Sequence, residues 1–315
     1  MPYFQAAQPV IEPANSITDF FSRWSLLDPL AVVVLLLAVM YSLGLARISL
    51  RLGRVPVSRR RITAAYTAMT VLFLALAGPF DGFATESFWV HMLQHLLITL
   101  VAAPLILLAS PMPVYLWSLP GTVRVGAGEL LRSKGPVRQT LSRLTYPWVS
   151  VPLYVLTLYI WHFPPAFTAA LENPYVHYLQ HFSFFVTAAL FWWPLIGPAP
   201  VRSKLSYPQR LVYLLVVVTP TALLGAIITL SGSVLYDTYL DSPGHWGMTP
   251  IEDQAMAGVL QWVPGNFAYL AALTGIFFTW AAKEEKGAFV AQPGSRRTPR
   301  RRPPSPRGGT LQKKP

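Results

Sequence analysis

Residues 88–113 read FWVHMLQHLLITLVAAPLILLASPMP, and this stretch is long and apolar enough to cross a bilayer as a helix. His91 and His95 lie near its first end. Because residues four positions apart are neighbours on a helix surface, both imidazoles should share one face. Ionisable side chains are costly inside a membrane and usually mark a functional site there. The stretch therefore predicts a membrane helix that carries part of a site.

The same pattern returns further along the chain. VHMLQH at residues 90–95 is echoed by VHYLQH at residues 176–181, so a second pair of histidines, His177 and His181, lies in another apolar stretch. Two histidine pairs on two membrane helices are the strongest functional signal in the sequence.

Composition places the protein among multi-spanning membrane proteins. The 315 residues are 53% hydrophobic and 12% charged, and that charged fraction is about half of what soluble domains carry. The chain has no cysteine, which excludes disulfides, thiolate metal sites and a cysteine nucleophile. No phosphate-binding loop, nucleophile elbow or paired-carboxylate site is recognisable, so the sequence does not predict an enzyme.

We predict an all-α integral membrane protein with seven transmembrane helices, near residues 29–46, 62–80, 88–110, 146–163, 175–197, 209–231 and 254–282. Asp28 and Pro29 favour a helix start at the first segment, while Pro264 and Gly265 should break the last. The predicted organisation is an extracytoplasmic N-terminal segment (1–28), a seven-helix membrane domain (29–282) and a disordered basic cytoplasmic tail (283–315).

The basic residues are distributed unevenly between the two sides of the predicted membrane domain. Of the 25 lysines and arginines, 24 fall on one side, and only Arg23 falls on the other. The positive-inside rule assigns the basic side to the cytoplasm, with the N-terminus outside and the C-terminus cytoplasmic. We attribute the net charge of +12 to this topology and to contact with membrane lipid. The tail has no interleaved aromatic residues, so no nucleic-acid binding is predicted.

This topology places all six histidines at or near the outer leaflet. The two pairs sit in the first two turns of the third and fifth segments, and His162 ends the fourth segment on the same side. We therefore expect the paired histidines to face one another, with His162 nearby. The alternative is an interfacial side chain, which is favoured for His245 in the last outer loop. Gln94 and Gln180 either hydrogen-bond the imidazoles or pack between helices.

Clustered imidazoles suit copper, zinc and haem iron. Copper is favoured because cysteine is absent while Met92, Met248 and Met256 offer thioethers, and haem b is the alternative. Asp253, at the outer start of the last segment, is a further candidate ligand or, equally, a helix N-terminal charge partner. The predicted metal ligands are His91, His95, His162, His177, His181 and Asp253.

A series of motifs, in order along the chain, resembles the caa-type cytochrome c oxidase assembly factor family (CtaG). The motifs are HMLQH at 91–95 with Pro104 and Pro111, WHFP at 161–164, VHYLQH at 176–181 with FWWP at 191–194, and Asp253 and Gln254 with Gly258 and Trp262. Gln261 departs from the apolar residue or methionine that this pattern has before the tryptophan. The resemblance implies a multi-pass bacterial plasma-membrane protein needed to make an active haem–copper oxidase, with copper delivery suspected and oxidase subunits as partners.

Three functions fit these observations. The first is an assembly factor that holds copper at the outer face or passes it to a cytochrome c oxidase, and it is the one we predict. The second is a redox protein with a b-type haem between the third and fifth segments. The third is a proton-coupled transporter that uses the broken last helix, although no acidic residue lies at mid-membrane.

Overall fold

The computed structural model describes residues 13–24, 28–132 and 134–291 of the chain, and every regular element in these ranges is helical. A π-helical turn, Leu97–Ala102, and two 3-10 turns, Asp237–Tyr239 and His245–Gly247, accompany the α-helices. The α-helices are α1 (Ile17–Phe20), α2 (Pro29–Leu52), α3 (Arg59–Ala77), α4 (Pro79–Phe83), α5 (Phe88–Leu96), α6 (Ala103–Ala109), α7 (Met112–Ser118), α8 (Gly121–Leu130), α9 (Pro136–Leu144), α10 (Pro147–Trp161), α11 (Pro164–Glu172), α12 (Pro174–Ile196), α13 (Tyr207–Leu230), α14 (Pro250–Trp262) and α15 (Pro264–Ala291).

Six of the seven predicted membrane segments form helices that are long and apolar enough to cross a bilayer, within the part of the chain that the structure describes. The fourth predicted segment is α10, an apolar helix of 15 residues. It is shorter than the roughly 20 residues that a straight span needs. Prolines explain both ends, because Pro147 begins α10 and Pro164 begins α11. A count of seven spans therefore stays a prediction, while the all-helical membrane architecture is established.

Helix boundaries follow the local signals in the sequence. Asp28 caps α2, its Oδ1 accepting hydrogen bonds from the backbone N–H groups of Leu30 at 2.8 Å and Ala31 at 3.1 Å. The expected break in the last segment is present, because α14 ends at Trp262 and α15 begins at Pro264. The boundary predicted at residue 282 instead falls inside α15, whose alanines and charged residues continue the helix to Ala291. Residues 1–12 and 292–315 lie outside the described residues.

The span formed by α5, the π-helical turn and α6 lies at the centre of the bundle. More than half of its membrane-spanning stretch is buried, against 22% for α2. The π-helical turn has a local cause, since Pro104 lacks the N–H that would bond a carbonyl one turn earlier. Trp192 of α12 compensates by donating its Nε1–H to the Thr99 carbonyl at 2.9 Å. This bond ties α12 to the central span just below the histidines.

Small residues bring the last helices close together. A Cβ added to Gly258 on α14 would lie 2.5 Å from the Thr229 backbone nitrogen and 2.8 Å from the Gly225 carbonyl oxygen. Gly225 on α13 is equally restricted, because its Cβ would meet Trp262. The α13–α14 pair therefore packs backbone to backbone, as small residues allow in membrane proteins. On another side, α14 packs against α5, the helix that carries His91 and His95.

Candidate metal centre

Five of the six histidines converge between α5, α12 and the end of α10. Along α5, the ring centroids of His91 and His95 are 4.3 Å apart, and along α12 those of His177 and His181 are 4.2 Å apart. Between the two helices, the centroid of His181 lies 6.2 Å from His91 and 5.5 Å from His95. The four paired histidines therefore face one another, as their spacing led us to expect.

Three of these histidines form a compact and fully buried group, which we call the buried triad: His91, His95 and His181. One ring nitrogen from each lies within 4.8 Å of the others, and the residues are 0–3% exposed. Metal–imidazole bonds are about 2.0–2.1 Å long, so small ring rotations would bring all three nitrogens onto one ion.

Hydrogen bonding sets the tautomer of His91. Its Nδ1 lies 3.1 Å from the Tyr239 hydroxyl, which itself donates to the Ala84 carbonyl at 2.7 Å. Because the hydroxyl proton is already engaged, we assign the His91 proton to Nδ1, which donates to the tyrosine oxygen. The lone pair then lies on Nε2, the nitrogen free to bind an ion. Tyr239 thus orients a candidate ligand, a role that sequence reasoning missed.

His162 joins the group from the end of α10. Its ring centroid is 6.0 Å from that of His95, and its Nδ1 donates to the Leu158 carbonyl at 2.7 Å. That bond leaves Nε2 with a lone pair. His162 is 4% exposed, so it is a buried imidazole next to the buried triad rather than an interfacial side chain.

All five converging histidines share one unusual feature. Within the described residues, the Nε2 atom of each is buried without a hydrogen-bond partner. An unsatisfied buried polar atom costs about 1–3 kcal/mol, so five in one place need an explanation. A metal ion bound by the buried triad would satisfy one ring nitrogen each of His91, His95 and His181, and the residues present therefore fit a metal site.

A second possible group extends toward the surface and contains a residue that sequence reasoning did not propose. Asp81 on α4, His177 and His181 each offer a ligand atom, and these atoms lie within 4.8 Å of one another. Asp81 and His177 are only half-buried. The signal available in the sequence was a single acid at the outer end of the second apolar segment, which does not show where that acid points.

Gln94 and Gln180 lie on the helix faces that carry the histidines, and both are buried. Gln94 Nε2 donates to the Ala75 carbonyl at 2.7 Å and to Asp81 Oδ1 at 3.1 Å. Gln94 is therefore an interhelical polar contact, and it also holds the Asp81 carboxylate. Of the two expected roles, packing between helices therefore applies to Gln94, and hydrogen bonding to an imidazole does not.

Asp253 was expected either as a ligand or as a helix N-terminal partner, and the structure places it at a helix N-terminus. Its oxygens accept hydrogen bonds from the Phe88 N–H at 2.8 Å, the Trp89 N–H at 2.9 Å and the Ser87 hydroxyl at 3.2 Å. The helix N-terminus that Asp253 caps is that of α5, not of its own helix α14. This pairing depends on how the two helices pack against each other. Asp253 belongs to neither group of candidate ligands, because its oxygens are committed to α5.

His245, the sixth histidine, lies in a separate network in the outer loop. Its Nδ1 accepts the Ala14 N–H at 3.0 Å, and its Nε2 lies 2.8 Å from Glu86 Oε2. Since Nδ1 accepts, the proton is on Nε2 and donates to the carboxylate. Arg23 completes the network with a 2.6 Å ion pair to Glu86. His245 is therefore a buried anchor for the N-terminal segment, not an exposed interfacial side chain.

The His245 network should weaken in acid. Burial lowers the pKa of His245 below its ordinary value of 6.5, and this outweighs the opposing effect of Glu86. Because the unfolded chain then binds the proton more readily, the network's stabilisation is fully present above about pH 6.5 and should be lost as pH falls below that value toward the lowered pKa. Hydrogen exchange of the Ala14 and Trp246 amides, which bridge the loop and the N-terminal segment, should accelerate between pH 7.5 and 5 beyond the intrinsic pH trend. The His245→Gln side chain cannot titrate, so this excess acceleration should be absent from that variant. If exchange of the two amides accelerates equally in His245→Gln, protonation of His245 is not its cause.

The chain is similar in sequence to curated proteins of three mycobacteria. Uncharacterized proteins of Mycobacterium bovis and Mycobacterium tuberculosis are each 26% identical to this chain over 277 residues, covering 87% of this chain and 42% of theirs. An uncharacterized protein of Mycobacterium leprae is 23% identical over 287 residues, with 88% and 42% covered. The chain thus spans less than half the length of these curated relatives. No solved structure matches it.

A family model provides the functional link. The model for the cytochrome c oxidase caa3 assembly factor matches residues 39–283, a range that includes every helix bearing a candidate ligand. The match covers most of the chain and extends through α14, where Asp253 positions the start of α5. The chain therefore belongs to the cytochrome c oxidase caa3 assembly factor family.

Proposed function

We propose that this protein binds copper in its histidine cluster and supplies it to a haem–copper cytochrome c oxidase during assembly. The observation that carries the proposal is the convergence of five imidazoles whose Nε2 atoms are buried and lack hydrogen-bond partners within the described residues. Copper is the cargo in this proposal, and the protein performs no catalytic step. Family membership supports the oxidase as the client, and the chemistry of the cluster supports the metal.

The geometry of the cluster favours an ion over haem b. A haem would need a porphyrin-sized slot between its two axial imidazoles. In this structure, Phe167 lies 5.0 Å from His91 and Phe184 lies 4.6 Å from His95, ring centroid to ring centroid. These aromatic rings and the neighbouring imidazoles occupy the space between α5 and α12. All-imidazole coordination without thiolate suits copper or zinc, and the oxidase client favours copper.

The proposed location is the plasma membrane, with the cluster at the outer side and the basic loops and tail in the cytoplasm. The distribution of 24 of 25 basic residues on one side supports this orientation. A copper site at the outer side could receive metal from outside the cell and pass it to a membrane-embedded oxidase subunit.

Cysteine labelling should reveal this orientation, and the natural chain has no cysteine to interfere. A membrane-impermeant maleimide added to intact cells should label Thr85→Cys, an exposed position next to the histidine cluster, and should not label Thr140→Cys in the basic loop. Permeabilised cells should label both variants, which controls for reactivity. Labelling of Thr140→Cys in intact cells would reverse the proposed orientation.

The role in oxidase assembly is tested by replacing both histidines of α5. We expect His91→Ala/His95→Ala to accumulate normally, because span hydrophobicity rather than histidine drives insertion. The client oxidase in the same membranes should lose most of its copper and activity while retaining its haem. His245→Gln changes a histidine outside the cluster and should leave oxidase copper unchanged. Normal oxidase copper with the double variant at normal abundance would remove the cluster from oxidase assembly.

A further inference from the structure

We propose that Asp81, His177 and His181 form a second metal position, an access triad, through which an ion reaches the buried triad. His181 belongs to both groups and would keep hold of the ion during the transfer. This inference rests on the proposed function above, since it assumes that the cluster binds a metal. The Asp81 carboxylate becomes a ligand, loading has a direction, and His181 takes part in both positions. Neither family membership nor the sequence indicated these three features.

The two triads differ in burial but are adjacent in space. His91, His95 and His181 are all buried, whereas Asp81 and His177 are half-buried at the end of the bundle where α12 begins. The His177 ring centroid lies 4.2 Å from His181 and 5.4 Å from His91. An ion that moves between the triads therefore travels only a few ångströms, less than one helical turn.

Aromatic side chains restrict other approaches to the buried triad. Phe167 packs 5.0 Å from His91 and 6.3 Å from His162, and Phe184 packs 4.6 Å from His95, ring centroid to ring centroid. Both phenylalanines are fully buried. The half-buried side of the cluster is the one formed by Asp81 and His177, so the access triad lies on the half-buried approach.

The carboxylate suits an access position. A divalent cation that leaves water for a low-dielectric interior pays a large desolvation cost, which a fixed negative charge reduces. Gln94 holds the Asp81 carboxylate through a 3.1 Å hydrogen bond and is anchored in turn on the Ala75 carbonyl. Gln94 lies between His91 and His95 in sequence, so this hydrogen bond links the Asp81 carboxylate to the helix that carries two residues of the buried triad.

Transfer needs no redox chemistry or proton donor. In the access position, the ion has two imidazole nitrogens and one carboxylate oxygen as ligands. The His181 nitrogen stays bound while the Asp81 oxygen and the His177 nitrogen are exchanged for nitrogens of His91 and His95. The charge on the metal is unchanged, and each bond that breaks is replaced by one that forms. An N,O donor set suits Cu²⁺, which we use as the probe.

The test compares loading rate with final affinity in the purified full-length protein. Asp81→Asn keeps an oxygen that accepts the Gln94 hydrogen bond but removes the charge. We expect this variant to take up Cu²⁺ about tenfold or more slowly in stopped-flow measurements, with an equilibrium affinity within about threefold of the natural protein. Its loaded electron paramagnetic resonance spectrum should show the same nitrogen coordination. Asp237→Asn, an exposed outer-loop control, should load at the normal rate.

A complementary variant isolates the access triad. His95→Ala removes a ligand of the buried triad only, so the ion should stay at Asp81, His177 and His181. Its resonance spectrum should then show two nitrogens and an oxygen, and adding Asp81→Asn should abolish the remaining binding.

The outcomes separate this inference from the proposed function. If the natural protein binds no Cu²⁺, both fail. If it binds Cu²⁺ and Asp81→Asn loads at the normal rate, the access triad fails while the metal centre stands. If Asp81→Asn lowers the final affinity as much as His95→Ala, a single joint site replaces the two positions.

Discussion

Replacing His95 with Ala should lower the affinity of the purified protein for Cu²⁺ by about 100-fold or more, equivalent to roughly 2.7 kcal/mol of binding free energy. His95 has the strongest claim to be a ligand, because both of its ring nitrogens are buried and without hydrogen-bond partners in the described part of the chain. Its ring centroid also lies 4.3–6.0 Å from those of His91, His162 and His181. Competition with a chelator of known affinity would measure the loss.

Two further variants calibrate that result. His162→Ala should weaken binding less, because His162 lies beside the buried triad and is not one of its three members. His245→Gln should bind normally, since His245 is engaged by Ala14 and Glu86. Should His95→Ala bind Cu²⁺ as tightly as the natural protein, the buried triad would not be the metal site. Proton handling by the histidines, as in a proton-coupled transporter, would then become the better explanation.

The second large effect concerns stability. Asp253→Ala should destabilise the folded protein by about 3 kcal/mol or more, because it leaves donors on Ser87, Phe88 and Trp89 without an acceptor, two of them buried and the Trp89 N–H partly buried. It also removes a negative charge from the N-terminus of α5. Thermal unfolding in detergent, followed by tryptophan fluorescence, should show a lower midpoint. Asp253→Asn, which keeps one acceptor oxygen, should fall between the natural protein and the alanine variant.

This prediction also separates the two roles considered for Asp253. If Asp253 positions α5, lost stability and weakened Cu²⁺ binding should appear together, because His91 lies one turn after the positioned N–H groups. Asp241→Ala, which removes an exposed carboxylate from the outer loop before α14, should change neither property. Loss of Cu²⁺ binding at unchanged stability would instead make Asp253 a ligand.

Much of the membrane architecture was predictable from the sequence, because the relevant properties are local. A segment's hydropathy and length decide whether it can span a bilayer, and the predicted 175–197 and 209–231 match Pro174–Ile196 and Tyr207–Leu230 closely. Asp28 and Pro29 begin a helix through contacts within one turn. The sharing of a face by His91 and His95 also follows from helical geometry alone. The length of α10 was overestimated, because its flanking prolines end the helix sooner than hydropathy does.

The site itself required tertiary structure, because its geometry depends on helices distant in sequence. Hydropathy does not show that Asp81 points toward His177, or that Asp253 accepts hydrogen bonds from α5 rather than from its own helix. Both facts depend on how the helices rotate and approach one another, as at the close crossing of Gly225 and Gly258. Helix rotation is a property of packed side chains, whereas the ability to span is a property of one segment. The sequence alone therefore determined a helical membrane protein with paired histidines, and packing decided which atoms could share an ion.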